Sequence, residues 1–127
     1  SFLSMIDVVM IQGRTEINGK PARRAFWVKE VLNLDPSKTE LVTNDVYRWD
    51  AKHDIFSYSG QSHILEEIME KRGLDSKEIE EELHRRKTVL EWMVKKQTRK
   101  YTEVGDVIRE YSVNPAQVYR KARMKAH

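Results

Sequence analysis

The sequence has no cysteine and few of the residues that interrupt regular structure. None of its 127 residues is Cys, five are Gly and three are Pro. The absence of cysteine excludes disulfides and thiolate metal sites. The five glycines are isolated from one another, so the chain has no Gly-x-x-x-x-Gly-Lys-[Ser/Thr] loop, whose backbone amides and lysine hold phosphates. The segment Phe2–Asp7 only faintly resembles a Walker B strand and is better explained as a plain strand. We therefore expect no ATP hydrolysis by this chain alone.

Long apolar runs are also missing. No stretch approaches the roughly 20 apolar residues of a membrane span, and no signal peptide is visible, so a cytoplasmic protein is the default expectation. The 23 Lys and Arg against 20 Asp and Glu give a net charge of +3. This excess is only a weak indication of a polyanionic partner. Because the chain starts at Ser1 inside an apolar run, we expect it to be an excised piece of a longer protein.

The first half of the chain shows the pattern of antiparallel strands. The Asn18-Gly19 pair between Arg14–Ile17 and Ala22–Val31 is a strong hairpin signal, because both residues tolerate the positive φ of a type I′ turn. Further turns are predicted at Asp35–Lys38 and Asp50–Asp54. Four strands are therefore predicted, connected in order as a meander, at approximately 5–17, 22–33, 40–49 and 54–58.

The second half has helical periodicity. A first helix is predicted from Ser62 to Gly73, since glycine suits the left-handed position that ends a helix. The second begins with Asp75 as N-cap and Glu78 three residues on, which is the pattern of a capping box. Shorter helices follow, the last with Asn114-Pro115 as N-cap and first residue. The sequence thus predicts an α+β fold, a four-stranded antiparallel meander followed by a C-terminal cluster of three to four helices.

Short motifs for catalysis or metal binding are weak. Gly60–His63 resembles the start of a nucleophile elbow, but the closing glycine is missing and Ser62 is better explained as a helix N-cap. The four histidines share no ligand spacing. We therefore assign no catalytic residue and no metal ligand.

The strands carry several aromatic residues next to arginines. Aromatics interleaved with Arg23, Arg24 and Arg48 are compatible with a nucleic-acid stacking platform. They are equally the natural residues for a sheet face buried under helices, and we favour this core interpretation.

The tail at 101–123 raises a second nucleic-acid hypothesis. It resembles a helix-turn-helix in which Gln117, Arg120 and Arg123 of the second helix would meet DNA. However, the small residue expected in the turn is absent, and the acidic residues of the first helix would repel phosphate. A helical hairpin packed on the preceding helix is the favoured interpretation.

The run Asn44–Asp50, with sequence Asn-Asp-Val-Tyr-Arg-Trp-Asp, resembles the extreme C-terminal part of the archaeal type II/IV secretion ATPases, the motors of archaeal flagella and pili. The resemblance covers essentially the whole chain. Further segments occur in the same order: Ile6–Val9 with Gln12, Arg23-Arg24, Leu34–Pro36, Ser59-Gly60 with Ser62, Arg85-Arg86, Leu90–Met93, and Tyr101 with Val104 and Val107-Ile108. Two positions depart from the pattern. Gln61 replaces an expected Arg, and Gln97-Thr98 replaces a Gly-hydrophobic pair, which allows the helix to run on there.

The resemblance implies a hexameric motor that hydrolyses ATP with Mg and acts on a polytopic membrane platform protein. Residues 1–60 would close a RecA-like ATPase domain and 61–127 would form its helical lobe, peripheral to the inner face of the membrane. The Walker A, Asp box, Walker B and His box would precede Ser1, so this part holds no cofactor of its own and is not expected to bind nucleic acid or span the membrane. The candidates for the adenine side of the site are Gln12 and Arg14. The candidate interaction residues are Arg23, Arg24, Arg48, Arg85 and Arg86.

Overall fold

The computed structural model describes residues 6–32 and 42–124. They form four strands followed by four helices, and the chain divides into two compact units, Ser1–Glu70 and Lys71–His127. The predicted α+β fold is confirmed. The turn predicted at Asp35–Lys38 and most of the Walker B-like segment lie outside the described residues.

The sheet is an antiparallel meander in the order β1-β2-β3-β4. Its strands are β1 (Val8–Ile17), β2 (Lys20–Val31), β3 (Thr43–Asp50) and β4 (Ile55–Tyr58). The predicted hairpin joins β1 to β2, with φ of 53° at Asn18 and 76° at Gly19. Both angles are in the left-handed region that a type I′ turn requires.

Two irregularities shift the register of the sheet. One lies between Ile11 and Gln12 of β1 opposite β2, and the other between Val28 and Lys29 of β2 opposite β3. Bulges of this kind bend a strand and increase its twist. Just after the first irregularity, the ring of Phe26 occupies the space that a side chain at Gly13 would need. Glycine is therefore required there for close packing and not for an unusual φ.

One face of the sheet carries a cross-strand row formed by Met10, Val28, Tyr47 and Tyr58. The ring centroids of Tyr47 and Tyr58 are 5.1 Å apart. The expectation of a buried aromatic face is wrong for Tyr47, Tyr58 and Phe56, which are 38%, 46% and 52% exposed. Only half-buried aromatics such as Phe26 and Trp49, stacked at 5.7 Å, approach the predicted environment.

The four helices are α1 (His63–Arg72), α2 (Ser76–Lys95), α3 (Tyr101–Val113) and α4 (Pro115–Met124). The predicted capping box is present, because Asp75 accepts from the Glu78 amide and Glu78 accepts from the Asp75 amide. Gly73 has a φ of +64°, as its predicted role at the end of α1 requires. In the described part of the chain, none of these helices combines the length and apolar character that crossing a bilayer demands.

Helix α2 ends at Lys95 and does not run on through Gln97-Thr98. Gln97 takes a φ of +58°, its amide bonds to the Val94 carbonyl at 3.0 Å, and the Thr98 amide bonds to the Met93 carbonyl at 2.9 Å. These two bonds define a Schellman motif. Glutamine thus occupies the left-handed position that glycine usually takes.

The helical unit has a small core between α2 and α4. Val118 and Ala122 of α4 are buried against the C-terminal half of α2, where the buried residues are Val89, Trp92 and Met93. The apolar residues of α3 that pack on this cluster are Val104, Val107 and Tyr111. The short helices thus cover the long one, as predicted.

Candidate functional site

Among the described residues of the sheet unit, the most deeply buried charge is that of Glu30 on β2, which is only 3% exposed. Its carboxylate accepts hydrogen bonds from the Ser62 hydroxyl at 2.5 Å, the Ile64 amide at 3.0 Å, the His63 amide at 2.9 Å and the Asn44 side-chain amide at 3.0 Å. Amides at a helix N-terminus attract negative charge. Glu30 therefore occupies the anion-binding end of α1 with a group from the protein itself.

The pKa of Glu30 reflects two opposing effects. Burial alone raises the pKa of this carboxyl, but the hydrogen bonds from Ser62, Asn44 and the two α1 amides outweigh burial and bring the pKa below its ordinary value. The ionised carboxylate is therefore a fixed connection between β2, β3 and α1. Both of its oxygens accept hydrogen bonds from the protein itself, so Glu30 has a structural role and neither oxygen is directed at a ligand.

A second polar group lies at the β3–β4 turn. The Arg24 guanidinium donates to both oxygens of Asp54, at 2.8 Å and 2.9 Å, and the Trp49 indole N–H donates to the same carboxylate at 2.8 Å. The bond from Arg24, followed by that from Trp49, lowers the pKa of Asp54 to about 2. In the same turn, the His53 ring lies 2.6 Å from the Asp50 carboxylate and lowers the pKa of Asp50. These bonds connect β2 to the turn that follows β3.

The other arginines predicted for the sheet are more exposed. Arg48 is 3.5 Å from Asp45, which also approaches the Lys29 ammonium at 3.5 Å. Arg23 is exposed and forms no ion pair within the described residues. The structure therefore does not bring Arg23, Arg24 and Arg48 together into one binding surface with shared partners.

The predicted adenine-side residues lie on β1, which is an edge strand of the four-stranded sheet. Gln12 and Arg14 are both exposed. Neither makes a side-chain hydrogen bond or ion pair to another described residue. Their role at a nucleotide site stays a prediction.

In the helical unit, Arg85 and Arg86 converge on one carboxylate, that of Glu82. The Arg86 Nε lies 2.8 Å from Glu82 Oε2, the Arg85 Nη2 lies 3.1 Å from Oε1, and the Tyr111 hydroxyl donates to Oε2 at 2.6 Å. We call these four residues the arginine–tyrosine cluster. It ties α3 to α2 through a hydrogen bond between residues far apart in sequence.

Hydrogen bonds within this cluster shift the pKa values of Glu82 and Tyr111. Burial raises the pKa of Glu82, but the bonds from Tyr111, Arg86 and Arg85 bring its pKa below the ordinary value. Burial and the bond to Glu82 raise the pKa of Tyr111. The tyrosine therefore stays protonated and the glutamate ionised near neutral pH, so the hydroxyl remains a donor.

An open groove lies beside Tyr111, between α2 and α3, with a volume of about 240 Å³. Its lining is mostly apolar and consists of Arg86, Val89, Leu90, Met93, Ile108, Tyr111 and Ser112. Leu90 and Ile108 are 55% and 52% exposed. The groove offers an apolar surface with one cation at its border, and no arrangement of nucleophile and base.

Two further hypotheses concern metal binding and DNA recognition by the tail at 101–123. Among residues 6–32 and 42–124, no group of three His, Asp or Glu side chains is placed to hold a metal ion. Helices α3 and α4 are joined by the single residue Asn114, whereas a helix-turn-helix uses a turn of three or four residues. Gln117, Arg120 and Arg123 are exposed on α4, so the side chains of that hypothesis do face solvent.

Sequence reasoning identified Ser62 as an N-cap and Arg85 and Arg86 as interaction residues, but missed two long-range contacts of these groups. Glu30 is 32 positions from Ser62 and Tyr111 is 29 positions from Glu82. The one available signal was the isolated acidic residue at position 30 in an otherwise apolar and basic strand end.

Comparisons with known proteins find relatives but no family. No family model matches the chain. It is similar to three proteins of Methanocaldococcus jannaschii, the uncharacterized protein MJ1287 with 34% identity over 66% of the chain, MJ0781 with 26% over 95%, and MJ0900 with 28% over 85%. The chain spans 31%, 17% and 20% of these relatives, less than a third of each.

Proposed function

We propose that this chain is the C-terminal, non-catalytic part of a hexameric archaeal secretion ATPase that assembles a pilus or flagellum. In this role it packs against neighbouring subunits and couples ATP hydrolysis, performed elsewhere in the polypeptide with Mg, to a polytopic platform protein at the inner face of the membrane. The chain itself hydrolyses no ATP.

The observation that supports the proposal is that several residues of the resemblance make contacts that stabilise the fold. Asn44 and Ser62 both bond to Glu30. Trp92 and Met93 are buried in the helical core, and Arg85-Arg86 bind Glu82. A resemblance made of such residues is one of architecture, which supports a shared fold more strongly than surface residues in the same order.

The lengths of the relatives support the proposal that this chain is part of a longer protein. Each is an archaeal protein, and the matched region is a minor share of its length. The missing phosphate-binding loop is then supplied by a preceding domain. The strands and helices of this chain then serve in subunit packing and in coupling ATP hydrolysis to the platform protein.

The experiment is to clone the complete polypeptide that carries residues 1–127 and compare it with a version that ends at Glu70. We expect both to bind nucleotide, and only the complete form to co-purify with a co-expressed platform protein. A complete polypeptide with no phosphate-binding loop ahead of Ser1 would contradict the proposal.

A second candidate function, nucleic-acid binding by the tail at 101–123, is favoured by one observation. Helix α4 has no acidic residue, and three exposed cations lie on it, Arg120, Lys121 and Arg123. It predicts binding to DNA or RNA that weakens steeply with salt. Titration of oligonucleotides at two salt concentrations tests it, with Arg120→Gln/Arg123→Gln as the variant expected to lose binding.

A further inference from the structure

Positive charge is concentrated at the connection between α2 and α3. We call residues 94–101 the basic loop. Its four cations, all exposed, are Lys95, Lys96, Arg99 and Lys100. Within the described residues none of them forms an ion pair, in contrast to Arg85, Arg86 and Lys87 earlier in α2. The loop therefore presents four charges that no described carboxylate neutralises.

This concentration is stronger than the composition of the whole chain indicates. The helical unit at 71–127 has 15 Lys and Arg against nine Asp and Glu, whereas the sheet unit at 1–70 has eight against 11. The net charges are therefore +6 and −3. The small overall excess conceals two units of opposite sign, and a difference of this kind between halves of a chain indicates a polyanionic partner for the basic half.

The basic loop has a defined conformation. The two backbone bonds of the Schellman motif fix the chain at Gln97 and Thr98, and the Lys96 ammonium lies 4.3 Å from the centre of the Trp92 ring. Trp92 belongs to the helical core. The backbone of the loop is thus fixed at Gln97 and Thr98, so ordering this backbone on docking costs little conformational entropy.

Apolar side chains flank the cations on both sides. Val94 at the end of α2 is 76% exposed, and Tyr101 at the start of α3 is 87% exposed. Tyrosine is enriched at membrane–water interfaces, where its ring lies at the level of the headgroups. An exposed valine gains nothing from phosphates in water but is stabilised when it enters an apolar layer.

We propose that the basic loop docks on an anionic phospholipid surface, with Lys95, Lys96, Arg99 and Lys100 facing the headgroups and Val94 and Tyr101 entering the interface. Clusters of four to eight Lys and Arg, next to a membrane span or on an amphipathic helix, are typical of segments that bind anionic lipid headgroups. The exposed valine distinguishes a lipid partner from a nucleic acid. The inference extends the proposed function, because a motor that acts on a membrane platform works beside such a surface, but it depends only on the loop.

The test is co-sedimentation of the chain with vesicles. We expect binding to vesicles of phosphatidylcholine and phosphatidylglycerol in equal parts, loss of that binding at high salt, and no binding to phosphatidylcholine alone. Since each cation near an anionic surface contributes about fivefold, replacing all four by Gln lowers the partition coefficient by more than about 100-fold. The Val94→Ser/Tyr101→Ser variant, which keeps every charge, is expected to lose binding about tenfold.

A matched control removes four cations elsewhere: Lys20, Lys52, Lys71 and Lys77, each replaced by Gln. These residues are exposed and have no ion pair among the described residues. If this control loses as much binding as the loop variant, or if wild type binds both vesicle types equally, the assignment to the loop is wrong. Oligonucleotide binding that depends on the four loop cations, without vesicle binding, also overturns the proposal. Vesicle binding by the chain does not depend on ATPase activity, so it can fail or succeed separately from the motor function.

Discussion

Replacing Glu30 by Gln should destabilise the sheet unit by about 2–3 kcal/mol. The carboxylate accepts four hydrogen bonds while 3% exposed. The side-chain oxygen of Gln can keep the two hydrogen bonds that Oε1 accepts, and the Ser62 hydroxyl can rotate to accept a hydrogen bond from the new NH₂ group. The Ile64 amide, however, would face an N–H group and lose its partner. One lost charge-assisted hydrogen bond, together with a buried unsatisfied donor, gives this magnitude.

The assay is urea denaturation with amide hydrogen exchange at His63 and Ile64. For a unit of this size the loss corresponds to about 10–20 °C in melting temperature. Exchange at the first turn of α1 should accelerate more than exchange in β1. The control is Glu67→Gln on the exposed side of α1, which should change stability by less than about 0.5 kcal/mol. Equal effects of the two substitutions would refute the assignment of Glu30 as the cap of α1.

The same residue gives a pH dependence with a defined sign. Because the pKa of Glu30 is lower in the folded state, its contribution is fully present above the unfolded pKa of about 4.5 and is lost as the pH falls through the folded pKa. Wild type should therefore lose stability in acid below about pH 4.5 more steeply than Glu30→Gln does. If the two proteins lose stability equally steeply as the pH falls, this carboxylate is not the responsible group.

Three further substitutions test other contacts. Gly13→Ala should cost about 1–3 kcal/mol by displacing the Phe26 ring, measured by urea denaturation; no loss would mean that the ring moves freely. Gln97→Gly should stabilise the helical unit by about 0.5–1 kcal/mol, seen as a higher melting temperature, because it relieves a left-handed residue. Tyr111→Phe should cost about 1–2 kcal/mol through the arginine–tyrosine cluster, and Tyr119→Phe, the control, much less; similar values would show that the Tyr111 hydroxyl contributes nothing.

Local signals explain which parts of the fold were predictable. The type I′ turn at Asn18-Gly19, the capping box at Asp75 and the Asn114-Pro115 start of α4 are each determined by residues within four positions, and all three are present. The left-handed residue Gln97 just after α2 was not predictable from propensity, because glycine is the residue usually found at this position of a Schellman motif.

The polar groups depend on long-range geometry. The sequence indicates Arg85 and Arg86 as interaction residues. The hydrogen bond from Tyr111 to Glu82, however, depends on how α3 packs along α2, which the sequence does not reveal. Likewise, the bulge between Val28 and Lys29 helps to decide which side chains share the face of Glu30. Aromatic content alone did not reveal that Tyr58 stays exposed.

The most direct test of the motor proposal is the measurement of ATP hydrolysis by two forms of the protein. The complete polypeptide that carries this sequence should hydrolyse ATP in the presence of Mg, while residues 1–127 alone should release no phosphate above background. ATP hydrolysis by residues 1–127 alone, or a complete polypeptide that neither binds nor hydrolyses ATP, would contradict the account.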